Sequence, residues 1–161
     1  KIIAYDTFEN PQAQNILEYK SLDEVFAESD LISLHIPLTS ENRHIINAES
    51  IAKMKDGVVI INTARGGHVN SEDLRDALVS GKVAAAGLDV FEHEKSLIRK
   101  DLSGKIIEDS VYRDLANLPN VIITPHVAFN TDVAVQNMVK MSTENLISFK
   151  NAGTTDNEIT K

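Results

Sequence analysis

Short apolar runs and longer mixed stretches alternate along the chain. Residues 2–5, 31–36, 58–61, 83–90 and 121–124 are rich in Val, Ile, Leu and Ala, and each run predicts a strand. The stretches between them read as helices. Ser21-Leu22-Asp23-Glu24 opens one, with the Ser21 hydroxyl placed to cap its first turn. Asn70-Ser71-Glu72-Asp73 opens another, with acids where the helix dipole favours them, and Gly81 supplies its left-handed stop. A last long helix is predicted from about residue 131 to about residue 150. There Val135, Met138, Val139, Leu146 and Phe149 recur near the helical period, Ser142 being the polar exception. Residues 95–120 show no clear period, and their charges predict an excursion over the surface. The tail, 151–161, is polar.

Alternating strand and helix predicts βα units, a parallel sheet and right-handed crossovers, the doubly wound α/β class. Strands that are apolar throughout predict that helices cover both sheet faces. In such sheets ligands bind at the carboxyl ends of the strands. Polar residues fall there five times: Asp6, His35-Ile36-Pro37, Asn62-Thr63-Ala64-Arg65, the segment 89–94, and Pro125-His126.

Composition narrows the function classes. The 161 residues are the size of one domain, and the net charge of −8 leaves no basic patch for nucleic acid or an anionic membrane. No apolar run approaches the roughly 20 residues that span a bilayer, and the first six residues lack the apolar core of a signal peptide. With no cysteine the chain has no disulfides, zinc–thiolate site or thiol nucleophile, as suits a cytoplasmic protein. The histidines and acids show no metal-ligand spacing, so no metal is expected.

Each candidate residue has two readings. Asp6, an acid directly after a strand, either accepts hydrogen bonds from an adenosine ribose or caps the turn before Asn10-Pro11. The Gly-rich phosphate loop that would precede a ribose acid by about 20 residues is absent, so on the first reading the chain begins beyond it. Arg65, followed by two glycines, either presents a forked donor to a carboxylate or pairs with a surface acid. His126 is either a proton carrier or a packed histidine bonded to backbone. A carboxylate bonded to one imidazole nitrogen would fix its tautomer and favour the charged ring; Glu94 is the candidate, with Glu92 as its rival in an acidic loop.

Together these segments resemble the D-isomer-specific 2-hydroxyacid dehydrogenase family. The resemblance rests on His35-Ile36-Pro37-Leu38-Thr39, on Ile60-Ile61-Asn62-Thr63-Ala64-Arg65-Gly66, on Gly87-Leu88-Asp89-Val90-Phe91-Glu92 and on Thr124-Pro125-His126. The steps of 29 residues from Arg65 to Glu94 and 32 from Glu94 to His126 are similar to those of the D-lactate dehydrogenase branch, as is Ala128-Phe129-Asn130-Thr131. The resemblance implies an NAD cofactor and hydride transfer to a small 2-oxo acid, most simply pyruvate to D-lactate. It implies that Arg65 binds the substrate carboxylate, that His126 supplies the proton and that Glu94 supports His126. Asp6, Ile36, Pro37, Asn42, Thr63, Ala64 and Asp89 would line the cofactor, and Phe129 would wall the substrate pocket. Residues 1–127 would form part of an NAD-binding domain without its Gly-rich loop. Residues 128–161 would form a helix and tail returning to a substrate domain outside this chain, and the complete enzyme would be a homodimer. Bulkier branched 2-oxo acids are a second substrate class. A dinucleotide-sensing module without catalysis and an inert fragment are the readings from other classes.

Overall fold

A computed structural model describes residues 1–94, 97 and 101–159. The chain divides into two compact units, Lys1–His126 and Val127–Lys161. The first contains strands β1 (Ile3–Ala4), β2 (Glu18–Tyr19), β3 (Leu31–Leu34), β4 (Val58–Asn62), β5 (Val83–Leu88) and β6 (Val121–Ile123). Its helices are α1 (Leu22–Glu28), α2 (Ala48–Lys53), α3 (Ser71–Ser80) and α4 (Ser110–Asn117). The second unit carries α5 (Asp132–Ala152).

Local signals account for most helix boundaries. Ser21 caps α1 in a complete capping box with Glu24, which also receives the Ser21 N–H at 2.9 Å. The Asn70 side-chain oxygen Oδ1 accepts the Glu72 and Asp73 N–H groups at the head of α3, and Gly81 ends that helix at φ 81°. A left-handed residue there costs glycine little, because no Cβ meets the preceding turn. Thr131 caps α5, which runs two residues past its predicted end to a left-handed Gly153.

Strands β3-β4-β5-β6 form one parallel sheet in that order, with Ile60 opposite Ile32 on one side and Ala86 on the other. The spatial order repeats the chain order, so right-handed crossovers place every connecting helix on the same face. The expectation that both faces are covered is therefore corrected for this unit. Buried and open positions alternate along β3 and β4, and Leu31 and Ile122 stand 55% and 71% exposed on the bare face. The covered face holds the core: Ile32, Ile46, Val58, Ile60, Leu74, Val83, Leu88 and Leu115 are buried.

Two further corrections concern what pattern alone did not show. The strand at the start of the chain does not join the main sheet. It pairs in parallel with β2, two residues with no strand pattern of their own. β1 and β3 each leave one edge unpaired among the described residues, and a cavity of about 740 Å³ lined by both separates them. The segment 95–120 is not only a surface excursion, since its later part folds as α4. Asp109 caps that helix, Leu115 is fully buried, and Tyr112 meets Phe91 edge to face at 5.3 Å between ring centres. Residues 95, 96 and 98–100 of that segment lie outside the described residues.

Candidate active site at the carboxyl ends of the strands

The sheet order converts sequence separation into adjacency. The turn after β4 carries Arg65, the loop after β5 carries Asp89 and Glu94, and the turn after β6 carries His126. The loop after β3, beside β4, carries Ile36, Pro37 and Asn42. These four groups therefore line up along one end of four neighbouring parallel strands, where polar backbone is left unpaired by the sheet.

Each turn is built from local hydrogen bonds. Asn62, buried at the last position of β4, folds the chain back: its amide donates to the Arg65 carbonyl at 2.9 Å and its oxygen accepts the Ala64 N–H at 3.1 Å. Thr63 and Arg65 are left exposed on the outside of that turn. The Arg65 guanidinium donates to the Ala64 carbonyl at 2.6 Å and has no ion pair among the described residues, so the alternative of a surface pair with an acid finds no support. Asn42 ties its own loop in the same way, accepting from the Thr39 N–H and donating to the Pro37 carbonyl, each at 2.8 Å. Ile36 is half-buried and Pro37 exposed.

Asp89 joins the loop after β5 to the turn after β6. It is buried, its carboxylate accepts the Thr124 hydroxyl at 2.5 Å, and its carbonyl accepts the His126 N–H at 2.8 Å. That backbone bond holds His126 at φ 56°, a conformation costing a non-glycine residue about 1–2 kcal/mol. Strain of this kind persists where the surroundings over-determine it, and it concentrates at functional positions.

Glu94 meets His126. Its Oε1 lies 2.9 Å from His126 Nδ1, and its Oε2 accepts the Phe91 N–H at 3.1 Å, so the carboxylate is oriented from both sides. A carboxylate on Nδ1 requires a proton there, which fixes the neutral tautomer with Nε2 as the lone-pair nitrogen and leaves Nε2–H as the transferable proton of the charged ring. A cavity of about 80 Å³ adjoins the pair, walled in part by Phe91, Tyr112 and Thr124. Of the two acids left open by the sequence, Glu92 turns away: its carboxylate meets Arg43 and His44. Arg43 and His44 were not among the expected site residues. The one local oddity at that place is the left-handed His44, at φ 53°, and no residue pattern announces it.

Asp6 follows β1 and is exposed. One carboxylate oxygen accepts the Phe8 N–H at 2.9 Å, as a turn cap does, and the other has no hydrogen-bond partner among the described residues; residues 5–10 contain no cation. Phe129 lies in the second unit, exposed, in the turn before α5. Among the described residues no group of three or more His, Asp or Glu gathers around a metal position, and no helix is long and apolar enough to cross a membrane.

Comparison with known proteins gives this geometry its context. Residues 1–128 match the family model described as D-isomer specific 2-hydroxyacid dehydrogenase, NAD binding domain. An aromatic 2-oxoacid reductase of Clostridium sporogenes is 51% identical over 158 residues, 98% of this chain and 48% of the relative. A D-lactate dehydrogenase of Lactiplantibacillus plantarum is 45% identical over 160 residues, 99% of this chain and again 48% of the relative. The crystal structure of D-lactate dehydrogenase with NAD+ from Lactobacillus jensenii superposes with a TM-score of 0.91 at 37% identity, covering 100% of this chain and 48% of that one. The chain thus spans about half the length of the curated relatives it matches. It belongs to the D-isomer specific 2-hydroxyacid dehydrogenase family and carries that family's NAD-binding domain.

Proposed function

We propose that this chain is the cofactor-binding and proton-donating half of an NAD-dependent dehydrogenase that interconverts small 2-oxo acids and D-2-hydroxy acids, with pyruvate and D-lactate as the leading pair. The observation that carries the reading is the 2.9 Å contact between Glu94 and His126, at the same end of the sheet as an arginine with no acid partner among the described residues.

The donor set suits NAD. Asp6 offers an open carboxylate oxygen to the ribose hydroxyls and, with no cation in residues 5–10, repels a 2′-phosphate. Ile36, Pro37, Asn42, Thr63, Ala64 and Asp89 lie on the strand ends over which a dinucleotide extends in this fold. The Gly-rich loop is not in this sequence. On this reading another part of the complete protein supplies it, on a strand that fills the cavity between the open edges of β1 and β3. The nicotinamide, when bound, supplies or takes up hydride.

The chain's own groups do the rest. Arg65 pairs with the substrate carboxylate through two parallel donors and orients the 2-oxo group. Hydride arriving at C2 leaves negative charge on the carbonyl oxygen, and the proton that neutralises it comes from Nε2 of a charged His126. Glu94 fixes the ring through Nδ1 and offsets its charge. In the reverse direction the same nitrogen takes the hydroxyl proton. Overall, 2-oxo acid, NADH and one proton give the D-2-hydroxy acid and NAD+.

Phe129 is assigned to the wall of the substrate pocket. Residues 128–161, on this reading, return to a substrate domain supplied by the rest of the protein. We place the complete protein in the cytoplasm as a homodimer, an assignment carried by the family resemblance and checked by sedimentation. A second substrate reading, an aromatic 2-oxo acid, is favoured by the 51% identity to an aromatic 2-oxoacid reductase. NADH oxidation by the complete protein with pyruvate, branched-chain and aromatic 2-oxo acids decides between them. No turnover with any 2-oxo acid would remove the enzymatic reading and leave a dinucleotide-binding module.

A further inference from the structure

One carboxylate at this end of the sheet takes no part in the reaction just derived, yet it is nearly as enclosed as any there. The Glu92 side chain is 10% exposed. Its Oε1 lies 2.6 Å from His44 Nε2 and also accepts the Arg43 guanidinium. Both partners belong to the loop after β3, whereas Glu92 belongs to the loop after β5. Between those two loops runs the turn that carries Arg65.

We propose that Glu92 is a positioning residue: with Arg43 and His44 it clasps the two outer loops over the Arg65 turn and sets where the guanidinium stands. The proposal rests on the reading of Arg65 as the carboxylate-binding group. The turn is held from both sides. On one side Gly66 packs so closely on the Phe91 carbonyl and the Glu92 nitrogen that a Cβ would collide with that backbone. On the other, the Gly67 carbonyl accepts the His44 N–H at 2.8 Å, and the His68 carbonyl accepts the Ile46 N–H at 3.0 Å. A Cβ on Gly67 would come within 2.8 Å of the Leu38 side chain. The backbone thus makes a three-layer stack, and the Glu92 ion pairs join its outer layers directly.

Two features separate the clasp from an ordinary surface pair. Exposed ion pairs contribute little, but a carboxylate this enclosed, bonded to two donors, is only weakly screened. The clasp also holds strain, because His44 keeps its left-handed backbone while its N–H and ring bond to two different layers. Releasing Glu92 frees His44 to relax, and the Gly67 contact loosens with it. Two glycines directly after Arg65 cannot hold that turn by themselves.

The test uses the complete protein and Glu92→Gln, with Arg43→Gln as a milder variant at a half-exposed position that folds more safely. Hydrogen exchange followed by mass spectrometry should show faster exchange in segment 62–69 of both variants. In steady-state kinetics with NADH and the best 2-oxo acid, Glu92→Gln should raise KM for the acid about tenfold, the size of one charged hydrogen bond, with a smaller change in kcat. The same substitution in an Arg65→Lys background should add less than about twofold, since a residue acting through Arg65 has little left to disturb. Unchanged exchange in segment 62–69, or kinetic effects that simply add, would overturn the clasp. If the wild-type protein reduces no 2-oxo acid, the substrate reading falls, and the exchange measurement still decides the clasp.

Discussion

The two ends of the first unit are built differently. At the carboxyl ends of β3 to β6, buried and half-buried polar residues bond the loops together: Asn62 to the Arg65 turn, Asp89 to Thr124 and His126, Glu94 to His126, and Glu92 to Arg43 and His44. Around β1 and β2, by contrast, the residues are exposed or half-buried, the strands are two residues long, and an open cavity separates them from β3. The contrast teaches that the two ends are not equally tied together: side-chain bonds join the loops at one, and an open cavity divides the strands at the other. The Glu94–His126 pair is formed, with its carboxylate bonded on both oxygens. The proposed function seats a Gly-rich strand in the cavity between β1 and β3, and the sequence itself contains no Gly-rich phosphate loop.

If that contrast is right, substitutions at the bonded end change catalysis and those at the open end change cofactor preference. The largest effect belongs to His126. His126→Gln in the complete protein should lower 2-oxo acid reduction by about 10²–10⁴-fold, the usual contribution of a positioned acid–base group, with NADH binding retained. Fluorescence titration of NADH beside steady-state rates checks this, and a loss under tenfold would demote the histidine to a packed residue.

Arg65→Lys comes next. Lysine keeps the charge but loses the fork, so kcat/KM for the acid should fall by about ten- to a hundredfold, mostly through KM. Unaltered kinetics with the preferred substrate would remove Arg65 from the site.

At the open end, Asp6→Ser should relax the preference for NAD over NADP. One lost charge repulsion in water amounts to about 1 kcal/mol, or roughly fivefold. The ratio of kcat/KM for NADH and NADPH reads this out; an unchanged ratio leaves Asp6 as the turn cap its bond to Phe8 already makes it.

The last effect concerns stability beneath the Arg65 turn. His68 is fully buried, and neither ring nitrogen has a hydrogen-bond partner among the described residues. Burial holds it below the ordinary histidine value of 6.5, with backbone of Pro37 and Arg65 opposing this in part. A base with a depressed folded-state pKa binds its proton more readily when unfolded. Its penalty is therefore absent above pH 6.5 and grows as pH falls through that value, by at most about 1.4 kcal/mol per pH unit. Thermal unfolding between pH 7 and pH 5 should destabilise the wild type more than His68→Leu, and parallel curves would refute the assignment.

What could be read from the sequence divides along physical lines. Helix boundaries set by one residue's own chemistry, such as Ser21, Asn70 and Gly81, were legible, and so were the five residues or loops at the strand ends. What depends on tertiary pairing was not. β2 exists because Ile3 and Ala4 pair with Glu18 and Tyr19, a relation with no local pattern. α4 is only eight residues long, and it follows a charged segment that hides its apolar face. The bare sheet face follows from strand order, which hydrophobicity does not encode. Glu92 and Glu94, two residues apart in one acidic loop, are told apart in the sequence only by the family resemblance, which favours Glu94. Only the fold sends one to His44 and the other to His126.

The proposed function turns on hydride transfer to C2, with the proton delivered at the Glu94–His126 end of the sheet. The most direct measurement gives the complete protein pyruvate and NADH deuterated at the transferable C4 position, then analyses the product by chiral separation and mass spectrometry. The proposed function predicts D-lactate with one deuterium on C2, and no such product from His126→Gln on the same timescale. Unlabelled product, the L enantiomer, or undiminished labelling by His126→Gln would contradict it.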